Sequence, residues 1–233
     1  MKAMILAAGR GERMRPLTDH TPKPLLSVRG KPLIEWHLEA LARGGVREVV
    51  INTAWLEEQI VAALGDGARF GLSIRYSLEG RDHGGALETA GGLKKALPLL
   101  GLAGDAPFWY VAADVFAPGF VFAAEGLPRA DALAHLWLVP NPPQHPGGDF
   151  GLADGLVTPG HEGERLTWSG IGVFRPGFVH ELMGGLPVGD KARLRPYLDA
   201  AIAQRRLGGQ RWAGEWADVG TPERLRALDA AGG

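Results

Sequence analysis

Glycine and cationic side chains cluster near the N-terminus of this 233-residue chain. Gly9 and Gly11 flank an arginine, and Arg13 and Lys23 follow. Residues 1–31 carry seven cationic and two anionic side chains, although the whole chain has a formal net charge of −1. Glycine exposes backbone N–H groups, and cations neutralise phosphate oxygens. We therefore expect a polyphosphate to bind here, the alternative being a glycine–arginine loop that only solvates the rim of a sheet.

Two other phosphate-binding motifs do not fit this segment. A dinucleotide fingerprint needs a third glycine at position 14, where the chain has Met14. A P-loop needs a hydroxyl residue after Gly30-Lys31, where the chain has Pro32. The sequence thus disfavours a Rossmann dehydrogenase and a P-loop nucleotidase.

Lys23 lies between Pro22 and Pro24, and lysine occurs only six times in the chain. Proline fixes its own φ and restricts the residue before it, so the backbone around Lys23 is stiff. A stiffened lysine is favourable where its ammonium group has a fixed anionic partner. We predict that Lys23 holds phosphate oxygens.

Asp114 and Asp218 are two carboxylates far apart in the chain, each at the end of a predicted strand. Two hard oxygen ligands suit Mg²⁺, which completes its coordination with waters and substrate phosphates. An aspartate at a strand end also forms turns, and the residues alone leave both interpretations open.

The elements that must position these side chains follow an alternating pattern. Short apolar runs at residues 4–8, 48–52, 72–76 and 108–112 predict buried strands, and residues 34–41, 57–64 and 91–97 predict helices between them. This alternation predicts parallel βαβ units in an open α/β sheet covered by helices on both faces.

Beyond residue 130 the alternation is less regular. We predict strands at residues 132–139 and 168–174, loops with a short hairpin at 140–163, a helix at 190–205, a strand or turn at 211–219, and a last helix from Thr221. No long linker is present, so we expect one domain over residues 1–233, with a mixed, mostly parallel sheet and an insertion at the sheet edge.

Composition excludes several function classes. The chain has no cysteine, which rules out disulfides and thiolate catalysis and fits a cytoplasmic location. It has no basic excess, and no run of 18 apolar residues. We expect neither nucleic acid nor a membrane among its partners.

The long motif that begins at Gly9-Arg-Gly-Glu-Arg-Met and continues to Pro22-Lys-Pro-Leu resembles the signature of the sugar-1-phosphate nucleotidyltransferases. Segments at residues 88–92, 168–172 and 216–221 are similar to later parts of that family. The resemblance implies a Rossmann-like nucleotidyltransferase fold. It also implies attack of a sugar 1-phosphate on the α-phosphorus of a nucleoside triphosphate, with release of pyrophosphate.

The resemblance also implies roles for particular residues. Arg13 and Lys23 would be catalytic, and Mg²⁺ would bind Asp114 and Asp218. The remaining candidates are Ala8, Gly9, Gly11, Glu79 and Gly92 for the nucleotide, and Asn141, Asp149, Gly170 and Lys191 for the sugar phosphate. One departure is Ala113, which stands where the family commonly has glycine before the first metal-binding aspartate.

Within the family, the short chain with its Glu88-Thr-Ala-Gly-Gly segment most resembles the members that transfer UMP from UTP to N-acetylmuramate 1-phosphate, and this resemblance implies a reaction of cell-wall recycling. The alternatives are a hexose-1-phosphate thymidylyl- or guanylyltransferase, and a non-catalytic nucleotide-sugar sensor. Since 15 residues follow Asp218, we expect a single activity. We expect a monomer or a homodimer.

Overall fold

The computed structural model describes residues 1–123, 129–160 and 162–230. Its strands are β1 (Lys2–Leu6), β2 (Ser27–Val28), β3 (Lys31–Pro32), β4 (Glu48–Thr53), β5 (Ser73–Leu78), β6 (Phe108–Ala112), β7 (Val115–Phe116), β8 (Ala134–Val139), β9 (Phe150–Ala153), β10 (Leu156–Thr158), β11 (Glu164–Phe174), β12 (Leu207–Arg211) and β13 (Ala217–Asp218). Its α-helices are α1 (Leu33–Arg43), α2 (Glu57–Leu64), α3 (Glu79–His83), α4 (Glu88–Leu100), α5 (Arg195–Ala203) and α6 (Pro222–Ala230).

Nine strands form one mixed sheet in the order β5-β4-β1-β6-β11-β8-β12-β10-β9. Strands β1, β4, β5 and β6 of this sheet are parallel, as their alternation with helices predicts. Their carboxyl ends meet at one edge, which is where open α/β sheets bind ligands.

The rest of the sheet differs from an open, mostly parallel one. Except for the parallel β8–β12 pair, its pairings are antiparallel, including β6–β11 and β8–β11. Strand β11 also pairs with β9, which closes β11, β8, β12, β10 and β9 into a five-stranded ring. The short hairpin predicted within residues 140–163 is β9–β10, but it is part of this ring and not an insertion at a free sheet edge. Chain alternation could not reveal the ring, because antiparallel pairing needs no helical crossover.

Helices cover both faces of the sheet because successive strand residues point to opposite faces. Met4 packs on one face in a cluster with Leu93 of α4 and Leu198 of α5. Ile5 packs on the other face with Leu38 of α1 and Ile60 of α2. None of the described helices is long and apolar enough to cross a membrane.

Two sequence predictions after residue 180 were wrong in their bounds. The helix expected at residues 190–205 begins at Arg195, because the preceding segment docks on α4 through Ala90 N–H and the carbonyl of Ala192, at 2.8 Å. A strand forms at Leu207–Arg211, whereas the prediction started at residue 211. Gly208 and Gly209 hid this strand, since glycine is unfavourable in isolated strand patterns.

Candidate active site

A cavity of about 610 Å³ lies at the carboxyl ends of β1 and β6. It is lined by the loop after β1, by Lys23, by Asn52 of β4 and by the start of α4. Seven of the predicted site residues line this cavity: Ala8, Gly9, Gly11, Arg13, Lys23, Asp114 and Lys191. The arrangement matches a phosphate-binding loop at the edge of a parallel sheet.

The two glycines of the loop are required for different structural reasons. Gly11 has φ +67°, and a Cβ there would lie 3.0 Å from Cγ2 of Thr18. Gly9 has open space where a Cβ would stand, and it makes no hydrogen bond to another described residue. Gly9 therefore leaves its N–H available to a ligand in the cavity.

The arginines of the loop are not equivalent. Arg10 donates to the Thr18 carbonyl at 2.8 Å and to Asp19 at 2.9 Å, and its guanidinium stacks on Trp55 at 3.7 Å. These contacts engage Arg10 in holding the loop. Arg13 forms no ion pair or hydrogen bond with the described residues through its exposed side chain, and it lines the cavity.

Lys23 is held at the start of a short 3₁₀ turn, and its side chain is 10% exposed. Its ammonium donates to Asp114 Oδ2 at 2.9 Å. Desolvation acts to raise the pKa of Asp114, but the ammonium of Lys23, the backbone N–H of Asp114 and the charge of Arg13 together outweigh it and hold that pKa below its usual value. Asp114 is therefore ionised at neutral pH.

Asp218 reaches the same region from the other end of the chain. Strand β13 pairs with β7, and Val219 N–H donates to the Asp114 carbonyl at 2.9 Å. The carboxylate of Asp218 accepts from Gln144 Nε2 at 2.7 Å and forms a short ion pair with Arg224. The fold thus brings together two aspartates that are distant in sequence.

The chemistry of this pair fits a divalent cation. Asp114 directly precedes β7, and Asp218 ends the partner strand β13. Their carboxylates provide hard oxygen ligands, and each forms an ion pair with a cation. The residues that the structure describes contain no cluster of three histidine, aspartate or glutamate ligands. A metal held here would take its other ligands from water and substrate, as Mg²⁺ usually does.

A second cavity of about 650 Å³ adjoins the first. The residues that line both cavities are Arg13, Glu88, Thr89, Tyr110, Ala112 and Asp114. The strand β11 forms one wall, where a register shift between Trp168 and Gly172 bends the strand. Two ligands can therefore bind side by side, meeting at Arg13 and Asp114.

Two of the predicted sugar-phosphate residues, Asp149 and Gly170, line this second cavity. Asp149 accepts from the Trp168 N–H at 2.8 Å, which fixes its carboxylate. Gly170 has φ +79°, and a Cβ there would lie 2.9 Å from the Cβ of Ala112. Only glycine permits this close approach of β11 to β6.

The other two sugar-phosphate candidates lie elsewhere. Lys191 lines the first cavity and not the second. Asn141 lines neither, because its amide donates to the Pro146 and Arg165 carbonyls at 3.1 and 3.2 Å. The side chain of Asn141 braces the loop before β9, a role its sequence position did not reveal.

Glu79 and Gly92 lie behind the wall of the first cavity. The fully buried carboxylate of Glu79 accepts from Asn52 Nδ2 at 2.6 Å and from the Leu87 N–H at 2.8 Å. Burial raises the pKa of Glu79. A Cβ at Gly92 would lie 2.5 Å from Asn52 Nδ2. Both residues thus support Asn52, which lines the cavity.

The neighbouring Gly91 has a related role. A Cβ there would lie 2.3 Å from the Asp190 carbonyl. The Gly91-Gly92 pair therefore lets α4 approach two other segments closely, one of which carries Lys191. No local pattern predicts these close approaches, because each involves residues far along the chain.

Several residues of the site were not proposed from the sequence. Glu88 lines both cavities and has φ +60°, an uncommon value for a residue other than glycine. Tyr110 stacks on Trp168 with ring centroids 5.2 Å apart and lines both cavities. Gln144 and Arg224 contact Asp218. Of these two, only Arg224 is close to Asp218 in the sequence, so only Arg224 could have been inferred from its position.

His37 lies on α1 behind β7, where it is 1% exposed. Its Nε2 lies 2.8 Å from the Val115 carbonyl, next to Asp114 in the chain. Burial lowers the pKa of His37 to about 4, although its hydrogen bond to Val115 opposes the shift. His37 is therefore neutral at pH 7 and donates from Nε2 to this carbonyl.

Comparison with known proteins agrees with this geometry. The chain is 52% identical to an N-acetylmuramate alpha-1-phosphate uridylyltransferase of Neisseria meningitidis serogroup B, over 100% of this chain and 99% of the relative. It is 35% identical to the protein of that name in Caulobacter vibrioides, over 98% and 95% of the two chains.

A solved structure of the inositol-1-phosphate CTP transferase of T. maritima has the same fold. It aligns with a TM-score of 0.73 at 15% identity, over 99% of this chain and 95% of that one. Residues 2–153, which contain the loop, Lys23 and Asp114, match the sequence profile of the nucleotidyl transferases. With this match and a relative similar over its full length, the chain belongs to the nucleotidyltransferase family.

Proposed function

We propose that this protein transfers UMP from UTP to N-acetylmuramate 1-phosphate and releases pyrophosphate. The observation that carries the proposal is the pair of adjoining cavities that share Arg13 and Asp114. The similarity to two proteins named N-acetylmuramate alpha-1-phosphate uridylyltransferase supports the choice of base and sugar.

The reaction needs no general base on the protein. A sugar phosphate is already anionic at neutral pH, so one of its oxygens attacks the α-phosphorus of UTP while the bond to the β-phosphate oxygen breaks. Pyrophosphate leaves with that bonding pair. The contribution of the protein is to align the two substrates and to neutralise their charge.

In this proposal the loop after β1 binds the triphosphate. The N–H of Gly9, which has no partner among the described residues, donates to a phosphate oxygen, and Gly11 gives the loop its turn. Arg13 neutralises the leaving β- and γ-phosphates. Lys23 holds oxygens at the transferring phosphorus, next to Asp114.

Asp114 and Asp218 would hold Mg²⁺. When bound, Mg²⁺ neutralises charge on the phosphate oxygens of both substrates. Lys23 and Arg224, which pair with these two carboxylates, would lie beside the cation and would help to neutralise the phosphate oxygens. Ala8 would lie against the nucleotide, and Asp149 and Gly170 against the sugar.

Further parts of the hypothesis depend on sequence reasoning. We propose that residues 1–233 act as one domain, as a monomer or homodimer, in the cytoplasm, and that the product enters peptidoglycan recycling. The cytoplasmic location is compatible with a chain that has no cysteine.

The test is a pyrophosphate-release screen of purified protein. Four nucleoside triphosphates are combined with N-acetylmuramate, N-acetylglucosamine, glucose and mannose 1-phosphates, each with and without Mg²⁺. We expect the highest kcat/KM for UTP with N-acetylmuramate 1-phosphate. A higher value for a hexose phosphate with dTTP or GTP would contradict the proposed substrates.

A further inference from the structure

We propose that Arg193 binds a carboxylate on the body of the sugar substrate, and so determines the preference for an acidic sugar. The inference depends on the proposed function, in which that carboxylate belongs to the 3-O-lactyl group of N-acetylmuramate. Arg193 lines the second cavity, and its guanidinium forms no ion pair or hydrogen bond with any described residue.

Two other arginines that line this cavity already have partners, and Arg13, which has no ion-pair or hydrogen-bond partner among the described residues, lies at the junction with the first cavity. Arg195 donates to Asp199 Oδ1 at 2.8 Å and lies over the Phe150 ring at 4.4 Å. Arg224 forms its ion pair with Asp218. An arginine that is free in a cavity is therefore a better candidate for an anionic ligand than either neighbour.

Arg165 is also close in sequence to the sugar-side wall, but each of its three guanidinium nitrogens already donates a hydrogen bond. It donates to the carbonyls of Gly147, Gly148 and Gly160. Arg165, which lies on β11, thereby holds the loop before β9 against that strand, and it lines neither cavity. This role is structural.

The position of Arg193 distinguishes the sugar body from the sugar phosphate. The reacting phosphate must lie at the junction of the cavities, near Arg13 and Asp114. Lys191, two residues before Arg193, lines the first cavity, whereas Arg193 lines only the second. Its guanidinium thus faces the part of the substrate that extends away from the junction.

A carboxylate fits this position better than a hydroxyl or an acetamido group. Arg193 is unpaired, and guanidinium groups form paired hydrogen bonds with carboxylates. N-acetylglucosamine 1-phosphate has no anionic group besides its phosphate. The guanidinium of Arg193 therefore discriminates between the two sugars through the lactyl group alone.

The test compares wild-type protein with Arg193→Gln on the 1-phosphates of N-acetylmuramate and N-acetylglucosamine, with UTP. We expect kcat/KM for the muramate to fall about 10- to 100-fold, the size expected for a lost charge-assisted hydrogen bond. The value for the glucosamine substrate should stay within about threefold. Calorimetry should show a matching loss of affinity for UDP-N-acetylmuramate and none for UDP-N-acetylglucosamine.

Two further variants complete the experiment. Arg193→Lys keeps the charge and should retain part of the preference for the muramate. Arg211→Gln removes an exposed charge on β12, outside both cavities, and should leave both substrates unaffected. Unchanged melting curves establish that the variants fold.

Equal losses on both sugars, or no loss on the muramate, would overturn the role of Arg193 while leaving the proposed function intact. A wild-type protein that prefers a neutral hexose phosphate with dTTP or GTP would overturn the proposed function, and the inference with it.

Discussion

The substitution Lys23→Met removes an ammonium group that the structure holds firmly in the site, and it keeps a long apolar side chain. Lys23 Nζ lies 2.9 Å from Asp114 Oδ2, and the Lys23 side chain is only 10% exposed. The ammonium is therefore preorganised close to the point where two substrates meet. A preorganised group of this kind contributes about 3 kcal/mol to the stabilisation of a transition state.

A loss of about 3 kcal/mol corresponds to a decrease in kcat of roughly 100-fold or more. The effect on stability should be much smaller. Asp114 has about half of its side chain exposed, at 52%, so water can solvate the carboxylate when the ammonium is absent. We therefore expect the activity and the melting temperature to respond very differently.

The assay follows pyrophosphate release with saturating UTP, sugar phosphate and Mg²⁺, and thermal unfolding of the same samples. Lys31→Met is a matched control, because Lys31 pairs with Glu39 and lines neither cavity. Near-normal kcat in Lys23→Met, with an unchanged melting curve, would remove Lys23 from the reaction. A large loss of stability would instead make Lys23 a structural residue.

The remaining predictions concern the metal, the cavity wall and pH. Asp114→Asn and Asp218→Asn should each weaken Mg²⁺ binding in calorimetric titrations, and titrations that superimpose on wild type would return both aspartates to a turn-forming role. Gly92→Ala places a Cβ 2.5 Å from a buried side-chain amide, so it should lower the free energy of unfolding by about 1–3 kcal/mol and raise the KM for UTP. Gly85→Ala, which meets nothing within 4 Å, is its control, and equal denaturant midpoints for the two variants would contradict the crowding argument. For His37, the folded-state pKa of about 4 lies below the ordinary value of 6.5, so the unfolded chain binds a proton first as the pH falls. The neutral ring should thus contribute on the order of 3 kcal/mol above pH 6.5, lost as the pH falls towards 4, and denaturant titrations of His37→Gln should show a weaker pH dependence than wild type.

The sequence alone was sufficient for features that depend on neighbouring residues. Gly9 and Gly11 after an apolar run indicated a phosphate-binding loop at a strand end, and the structure has that loop on a cavity. Two prolines indicated a stiffened Lys23, which is in fact held in a short turn. The four parallel strands were also predictable, since hydrophobic runs and the helices between them are local patterns.

Some features of the fold and of the site follow from no local pattern in the sequence, and only the tertiary structure determined them. The pairing of β11 with β9 closes a ring that no alternation of strands and helices predicts. The meeting of Asp114 with Asp218 depends on β7 pairing with β13, across about a hundred residues of chain.

The tertiary structure also separated residues that were equivalent in sequence. Lys191 and Arg193 are two positions apart, yet they line different cavities. Arg165 lines neither cavity and instead donates to three backbone carbonyls. Glu79, a candidate for contact with the nucleotide, lies behind the cavity wall and accepts a hydrogen bond from Asn52 Nδ2. Residue type determines which interactions a side chain can make, and local spacing determines its element. Segments far along the chain determine the hydrogen-bond partners of that side chain. The reason is that buried polar groups must form hydrogen bonds, and the packing of the whole fold determines which partners are within reach.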